Sequence, residues 1–413
     1  MNKKLKVLAV APYCDGQDVG EAWCAHQWIK HLAERADVTL LTLHRKGRTP
    51  ASEQLPNVEV IEWDERLYFE KFSRLSSMLK PGFVSFYKNA QRWIEQAIQQ
   101  GRVFDIGHQF TPIALRYPSP LAQFPIPFVL GPQGGSLETP AGFAAECQSS
   151  AWYTRLRGLD SLRLRRDTML RNSYRSASLI LGVAPYVADL LGGLSQRFEV
   201  ISELGIEKLA AERPISEARG HINLVHVGRG VRTKGLRDAV RALAKLPQDV
   251  SAHLDVAGSG EEIAICQDEA KSLGVADKIT FHGQVSREEV EELYRQADAF
   301  LFPSFREPSG SVVFEAMRNG LPVITTDRGG PGFVVDASCG ITVPANFPEQ
   351  LAADLAAAIT SLARKPELRR RLALGSRDRI ASIGLWDNKI EQLLNFYEET
   401  LTSNSQPTLE EAV

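Results

Sequence analysis

Short runs rich in Val, Ile and Leu alternate with longer amphipathic stretches along nearly the whole chain, and the pattern runs through twice. In the first half the runs are Lys6–Ala11, Val38–Leu43, Val58–Ile61, Asp105–Phe110, Phe128–Gly131 and Leu179–Ala184. In the second half they are Ile222–Gly228, His253–Ala257, Ile279–His282, Ala299–Pro303, Val323–Thr326 and Gly340–Val343. Such runs lack strict polar–apolar alternation, which suits strands covered on both faces of a parallel sheet. Helical patterns lie between them, among them Cys24–Glu34, Leu236–Leu246, Glu261–Leu273, Arg287–Gln296 and Val312–Asn319. Repeated strand–helix alternation means an α/β protein with doubly wound sheets.

The seam between the two passes lies near residues 185–220. There Glu199–Ile206 gives way to the polar Ala210-Ala211-Glu212-Arg213-Pro214 before a fresh strand at Ile222. Two Rossmann-like domains facing each other across a cleft are expected, over residues 1–200 and 201–383. Residues 384–401 form a closing helix, with Ile390, Leu393, Leu394, Phe396, Tyr397 and Leu401 at helical spacing, expected to cross back onto the first domain. The polar end, 402–413, is expected to fray.

Charge and cysteine content narrow the class. Forty-eight Lys plus Arg balance 50 Asp plus Glu, a net charge of −2, which argues against a dedicated nucleic-acid binder. Cys14, Cys24, Cys147, Cys266 and Cys339 are scattered, with no CxxC pair, so neither a zinc knuckle nor a disulfide framework is supported. The apolar run that Pro12 ends is too short for a signal peptide, and no stretch of about 18 apolar residues occurs to span a membrane. The expected setting is cytoplasmic, with a peripheral position on the inner face of the membrane as the variant.

Residues just after the strands matter most, because open parallel sheets bind ligands there. The richest segment runs from Phe302-Pro303-Ser304 through Glu307 and Pro308-Ser309-Gly310-Ser311 into a helix. Glu315-Ala316-Met317, Gly320-Leu321-Pro322-Val323 and Asp327-Arg328-Gly329-Gly330 follow. The free amides of the helix start at Ser309, Gly310, Ser311 and Val312, backed by the helix dipole, suit a phosphate. A second segment, Val227-Gly228-Arg229-Gly230-Val231-Arg232-Thr233-Lys234-Gly235, is a strand, a glycine-rich turn and a helix start carrying cations.

Together these segments resemble the E-x7-E signature and the G-R–loop–K-G element of retaining GT-B glycosyltransferases of family 4 (glycosyl transferases group 1). The resemblance is strongest over residues 222–345. It implies a second domain that binds a nucleoside diphosphate sugar, of UDP or GDP type, and a first domain that holds a glycan or lipid-linked acceptor. By it Arg229 and Lys234 hold the diphosphate, Glu307 orients the donor sugar and Glu315 meets the ribose. Gly258, in Gly258-Ser259-Gly260, lies beside the nucleotide or serves only a close turn; Gln284 and Val285 are the neighbours of the base. Gly20, before the first helix, is expected near the donor phosphates, or else simply opens a helix that Asp18 caps. His108, at the end of the Asp105–Phe110 strand, is the catalytic His candidate near the reacting centre, with a partly buried structural His as the alternative. Gly134 and Gly135 lie on the acceptor side or form a tight turn.

The implied reaction is retaining, metal-independent hexosyl transfer to a hydroxyl, in bacterial-type polysaccharide or glycolipid assembly. A GT-B sugar-nucleotide epimerase or phosphorylase is the alternative. A dinucleotide oxidoreductase is disfavoured, because no strand-linked GxGxxG with an acidic residue ~20 positions on is present. Finally, seven arginines in Arg155–Arg175 and the aromatic and basic residues of Leu67–Tyr87 read either as solvated faces or as a patch resting on an anionic bilayer.

Overall fold

The structure, a computed structural model, describes residues 4–65, 82–147, 158–212, 214 and 216–404. The chain forms two compact units. The first comprises Met1–Ser136, Ala151–Glu203 and Trp386–Val413; the second comprises Leu137–Ser150 and Leu204–Leu385.

The first unit is built on strands β1 (Lys6–Val10), β2 (Asp37–His44), β3 (Glu59–Asp64), β4 (Ile106–Gln109), β5 (Phe128–Gln133), β6 (Leu179–Gly182) and β7 (Phe198–Val200). They pair in parallel in the order β3-β2-β1-β4-β5-β6-β7. The second unit repeats the scheme with β8 (His221–Val227), β9 (Ser251–Ala257), β10 (Ile279–Gly283), β11 (Ala299–Phe302), β12 (Val323–Thr326) and β13 (Gly340–Val343), in the order β10-β9-β8-β11-β12-β13. In both sheets the strand order reverses beside the first strand, at β1/β4 and at β8/β11, which is where such sheets receive ligands. The α/β class with two doubly wound sheets is thus what the chain adopts. Strand β7 was not legible as an apolar run, because its three residues are only half-buried at the sheet edge.

The central strands owe their place to burial. Val7 to Val10 and Ala299 to Phe302 are at most 1% exposed. Each Leu- or Phe-sized side chain removed from water there contributes roughly 1.5–3 kcal/mol.

The closing helix, Trp386–Asn404, belongs to the first unit. Trp386 meets Trp28 edge-on with centroids 5.2 Å apart and stacks on His31 at 5.0 Å. Ile390, Leu393 and Tyr397, three and four residues apart, continue that buried face. Within the second unit, residues 137–147 are a strap drawn from the chain between β5 and β6. Its Phe143 stacks on Phe305 at 4.2 Å, and its Glu146 carboxylate takes hydrogen bonds from Arg232 and Arg241.

Candidate functional site

The loops at the carboxyl ends of β8, β9 and β10 lie backbone against backbone. The Gly228 amide donates to the Ala257 carbonyl (3.0 Å), Gly230 to Ser259 (2.8 Å) and Gly258 to Gly283 (2.7 Å). At Gly258, with φ of 135°, a methyl group would overlap the Gly228 carbonyl oxygen. Close approach therefore accounts for glycine at this position. Gln284 and Val285 follow β10 on this rim, Gln284 exposed and Val285 half-exposed, ahead of the helix Arg287–Gln296.

Two loops then converge. The Thr233 carbonyl, next to Lys234, accepts from the Phe305 amide (3.2 Å) and the Ser304 hydroxyl (3.0 Å). Across this junction the Glu307 carboxylate pairs with the Lys234 ammonium, and its Oε1 accepts from the amides of Ser309 (3.3 Å) and Gly310 (3.2 Å). The Lys234 and Glu307 side chains are only 13% and 15% exposed. The Phe302 ring lies 5.5 Å below the ammonium. Burial, with Arg229 and Arg306 nearby, pushes the Lys234 amine down to about 8. An arriving anion would raise it again. Arg229 is exposed, and its guanidinium makes no hydrogen bond or ion pair among the described residues.

Gly310, at φ 83°, turns the chain into the helix Ser311–Arg318. The amides of Ser311 and Val312 in its first turn bond to no acceptor among the described residues. The loop rests on a glycine shelf. The Gly330 amide donates to the Glu307 carbonyl (3.0 Å), and a methyl on Gly329 would overlap that same oxygen. One turn into the helix, half-buried Glu315 accepts from the Tyr294 hydroxyl (3.3 Å). Burial, then the nearby Glu291 carboxylate, raises its pKa against that hydrogen bond.

In the first unit the candidates fare differently. His108 is fully buried. Its Nδ1 lies 2.5 Å from the Tyr397 hydroxyl and its Nε2 2.7 Å from the Gly131 carbonyl, while its ring stacks on Phe110 at 3.7 Å. Burial pushes it down to about 3, so it is neutral and sealed inside the sheet's packing. This corrects the catalytic assignment: a side chain with both nitrogens occupied and no exposed surface reaches no substrate. Gly20, at φ 66°, opens the helix Glu21–Leu32 with free space beside it, and no side chain caps that helix. Asp18 instead pairs with Arg45 at 3.2 Å, correcting its reading as the cap. Gly134 is buried, with its amide on the Ile113 carbonyl (2.8 Å); Gly135, at φ 87°, offers its carbonyl to the Tyr186 hydroxyl (3.0 Å). Of the basic segment, Arg155 and Arg157 lie outside the described residues, as do residues 67–81. Arg163 pairs with Asp167 at 2.6 Å, while Arg165, Arg166 and Arg175 are exposed.

Three arginines beside the candidate loops have roles that sequence reasoning did not assign. Arg232 is 5% exposed and grips Asp238 through two hydrogen bonds (2.6 and 2.9 Å) and Glu146 through Nε (2.7 Å), beside the stacked rings of Phe143 and Phe305. It is an internal strut. Arg306 donates to the Thr139 hydroxyl (2.9 Å), and Arg328 to the carbonyls of Phe305 (3.1 Å) and Glu138 (2.8 Å), tying the strap beneath the Glu307 loop.

Residues 210–379, inside the second unit, match the family described as glycosyl transferases group 1. The glycogen synthase of Mycobacterium tuberculosis is 32% identical over 200 residues, 48% of this chain and 47% of that protein. The chain spans about half the length of the curated relatives it matches first. Among solved structures, sucrose-phosphate synthase (tll1590) from Thermosynechococcus elongatus superposes with a TM-score of 0.64 at 20% identity, over 97% of this chain and 100% of that one. Anabaena Alr3699/HepE in complex with UDP gives 0.61 at 18% identity, over 96% and 100%. The chain thus carries the GT-B fold, and its residues 210–379 are similar to the glycosyl transferases group 1 family.

Proposed function

We propose that the protein is a retaining glycosyltransferase that moves a sugar from a nucleoside diphosphate sugar to a hydroxyl group of a glycan or lipid-linked acceptor. The convergence of Lys234 with the Ser309 and Gly310 amides, beside the free amides of Ser311 and Val312, carries the reading. Departure of the nucleoside diphosphate develops negative charge. Fixed donors aimed at that charge lower the barrier without reorganising during the step. Arg229 and Lys234 supply the positive charge, and the helix start supplies the N–H groups.

Glu315 accepts hydrogen bonds from the ribose, and Glu307 orients the donor sugar. Gly20, Gly258, Gln284 and Val285 are assigned to the donor's surroundings, Gly134 and Gly135 to the acceptor. In a front-face displacement the bond from the anomeric carbon to the leaving phosphate oxygen breaks while the acceptor oxygen bonds to that carbon on the same face. The acceptor proton passes to the departing phosphate. A UDP-type donor is favoured because the Anabaena protein of this fold is in complex with UDP. Metal independence belongs to the proposal too, the two cations standing where a divalent ion would otherwise act.

Turnover of a panel of nucleoside diphosphate sugars, with the anomeric configuration of the product read by NMR, tests this reading. Transfer with retention, unchanged by a chelator, is expected. Inversion, or free-sugar or epimerised products alone, would overturn it.

A further inference from the structure

The Glu307 carboxylate already sits where an anion belongs. It accepts the Ser309 and Gly310 amides and pairs with the Lys234 ammonium. These are donors that the proposed function gives to the diphosphate, and one set of N–H groups cannot serve two anions at once. From this we infer that Glu307 is an internal stand-in for the diphosphate in the ligand-free protein, and that a donor binds by exchanging with it. The inference rests on the phosphate reading of the site and deepens it.

The exchange selects between ligands. Once displaced, the carboxylate is left beside a polyanion in a half-dry site, where like charges repel strongly. A diphosphate carrying a sugar offsets that repulsion, because the sugar hydroxyls donate to the released carboxylate. A bare diphosphate brings no such donors. Glu307 therefore disfavours the nucleoside diphosphate product relative to the donor, and its return to Lys234 helps expel that product. Only the side chain need move, since the Gly329–Gly330 shelf holds the loop backbone in place.

Calorimetric titration of the full chain with pyrophosphate, and separately with UDP, tests the exchange on the wild type, Glu307→Gln, Glu307→Ala and Lys234→Met. Pyrophosphate should bind Glu307→Ala at least ~10-fold more tightly than the wild type, about 1.4 kcal/mol. Glu307→Gln should fall between them, because its amide carbonyl still accepts the two backbone N–H groups. Lys234→Met should bind neither probe. Unchanged or weaker binding of both probes in the two Glu307 variants, with loss in Lys234→Met, would overturn the exchange and leave the phosphate site standing. If no folded variant, nor the wild type, binds either probe, the site assignment itself falls. Should Glu307→Ala fail to fold, Glu307→Gln carries the same comparison.

Discussion

The two units are built on the same strand order but treat the polar groups at their strand ends in opposite ways. In the first unit they are spent internally: His108 has a partner on each nitrogen, and Asp18 is paired with Arg45. In the second, Arg229 faces solvent without a partner among the described residues, and Lys234 pairs with the Glu307 carboxylate. A doubly wound sheet offers the same location twice. What makes a location chemically available is that its donors are left for something else to satisfy.

The sharpest way to break this contrast is to remove one polar side chain from each unit. Lys234→Met should lower kcat by ~10²–10³, the usual loss of one preorganised donor, with little change in thermal midpoint. His108→Phe should leave kcat within about threefold and instead cost ~1–3 kcal/mol of stability, since the Tyr397 hydroxyl loses its buried partner. Comparable turnover losses in both variants would erase the distinction.

Glycines give a second pair. Gly258→Ala combines backbone strain with overlap on a neighbouring carbonyl and should cost more than ~2 kcal/mol in denaturant unfolding. Gly20→Ala, strained only by its positive φ, should cost about 1 kcal/mol. Equal losses would mean that the stacked loops yield readily.

Titration separates the units again. The native Lys234 pKa, about 8, lies below its unfolded value, so this group's contribution to stability grows as pH rises from 8 towards the unfolded value. Ligand binding has the opposite sign. Diphosphate affinity should weaken as pH rises above about 8, and Lys234→Arg should flatten that slope. His108, held near 3, makes the fold less stable as pH falls from its unfolded value towards 3, because the unfolded chain takes up that proton first. His108→Phe should lessen this acid-side loss in thermal melts.

The smallest effect is expected at the exposed Arg165, Arg166 and Arg175. Flotation with anionic vesicles separates the two readings of this segment: salt-sensitive binding that Arg165→Glu with Arg166→Glu abolishes would mark a bilayer patch, and no binding would leave solvated faces. Vesicle binding that survives both the substitutions and high salt would assign it elsewhere.

Much of this was legible in the sequence because parallel strands must be apolar on both faces. Runs such as Ala299–Pro303 and Val323–Thr326 therefore mark strands by composition alone. The Glu307 and Lys234 segments could be read because glycines, cations and a helix start fall together at strand ends. Burial was not legible. Arg229 and Arg232 stand three residues apart in one loop, yet one is exposed and the other is a strut locked to Asp238 and Glu146. Likewise His108 looks like a strand-end catalyst until the closing helix places Tyr397 against it. Contacts between residues far apart in sequence decide both cases, and local pattern carries no record of them.

The wandering of the chain has a practical outcome. It passes between units at 136/137, 150/151, 203/204 and 385/386, so neither half is one continuous piece of polypeptide. A truncation ending near residue 200 would lack the helix Trp386–Asn404 and bare the Trp28 surface that Trp386 now covers. Sticky, poorly recovered protein is the outcome to plan for, and excising either half for separate study calls for a permuted or stitched gene rather than a simple cut.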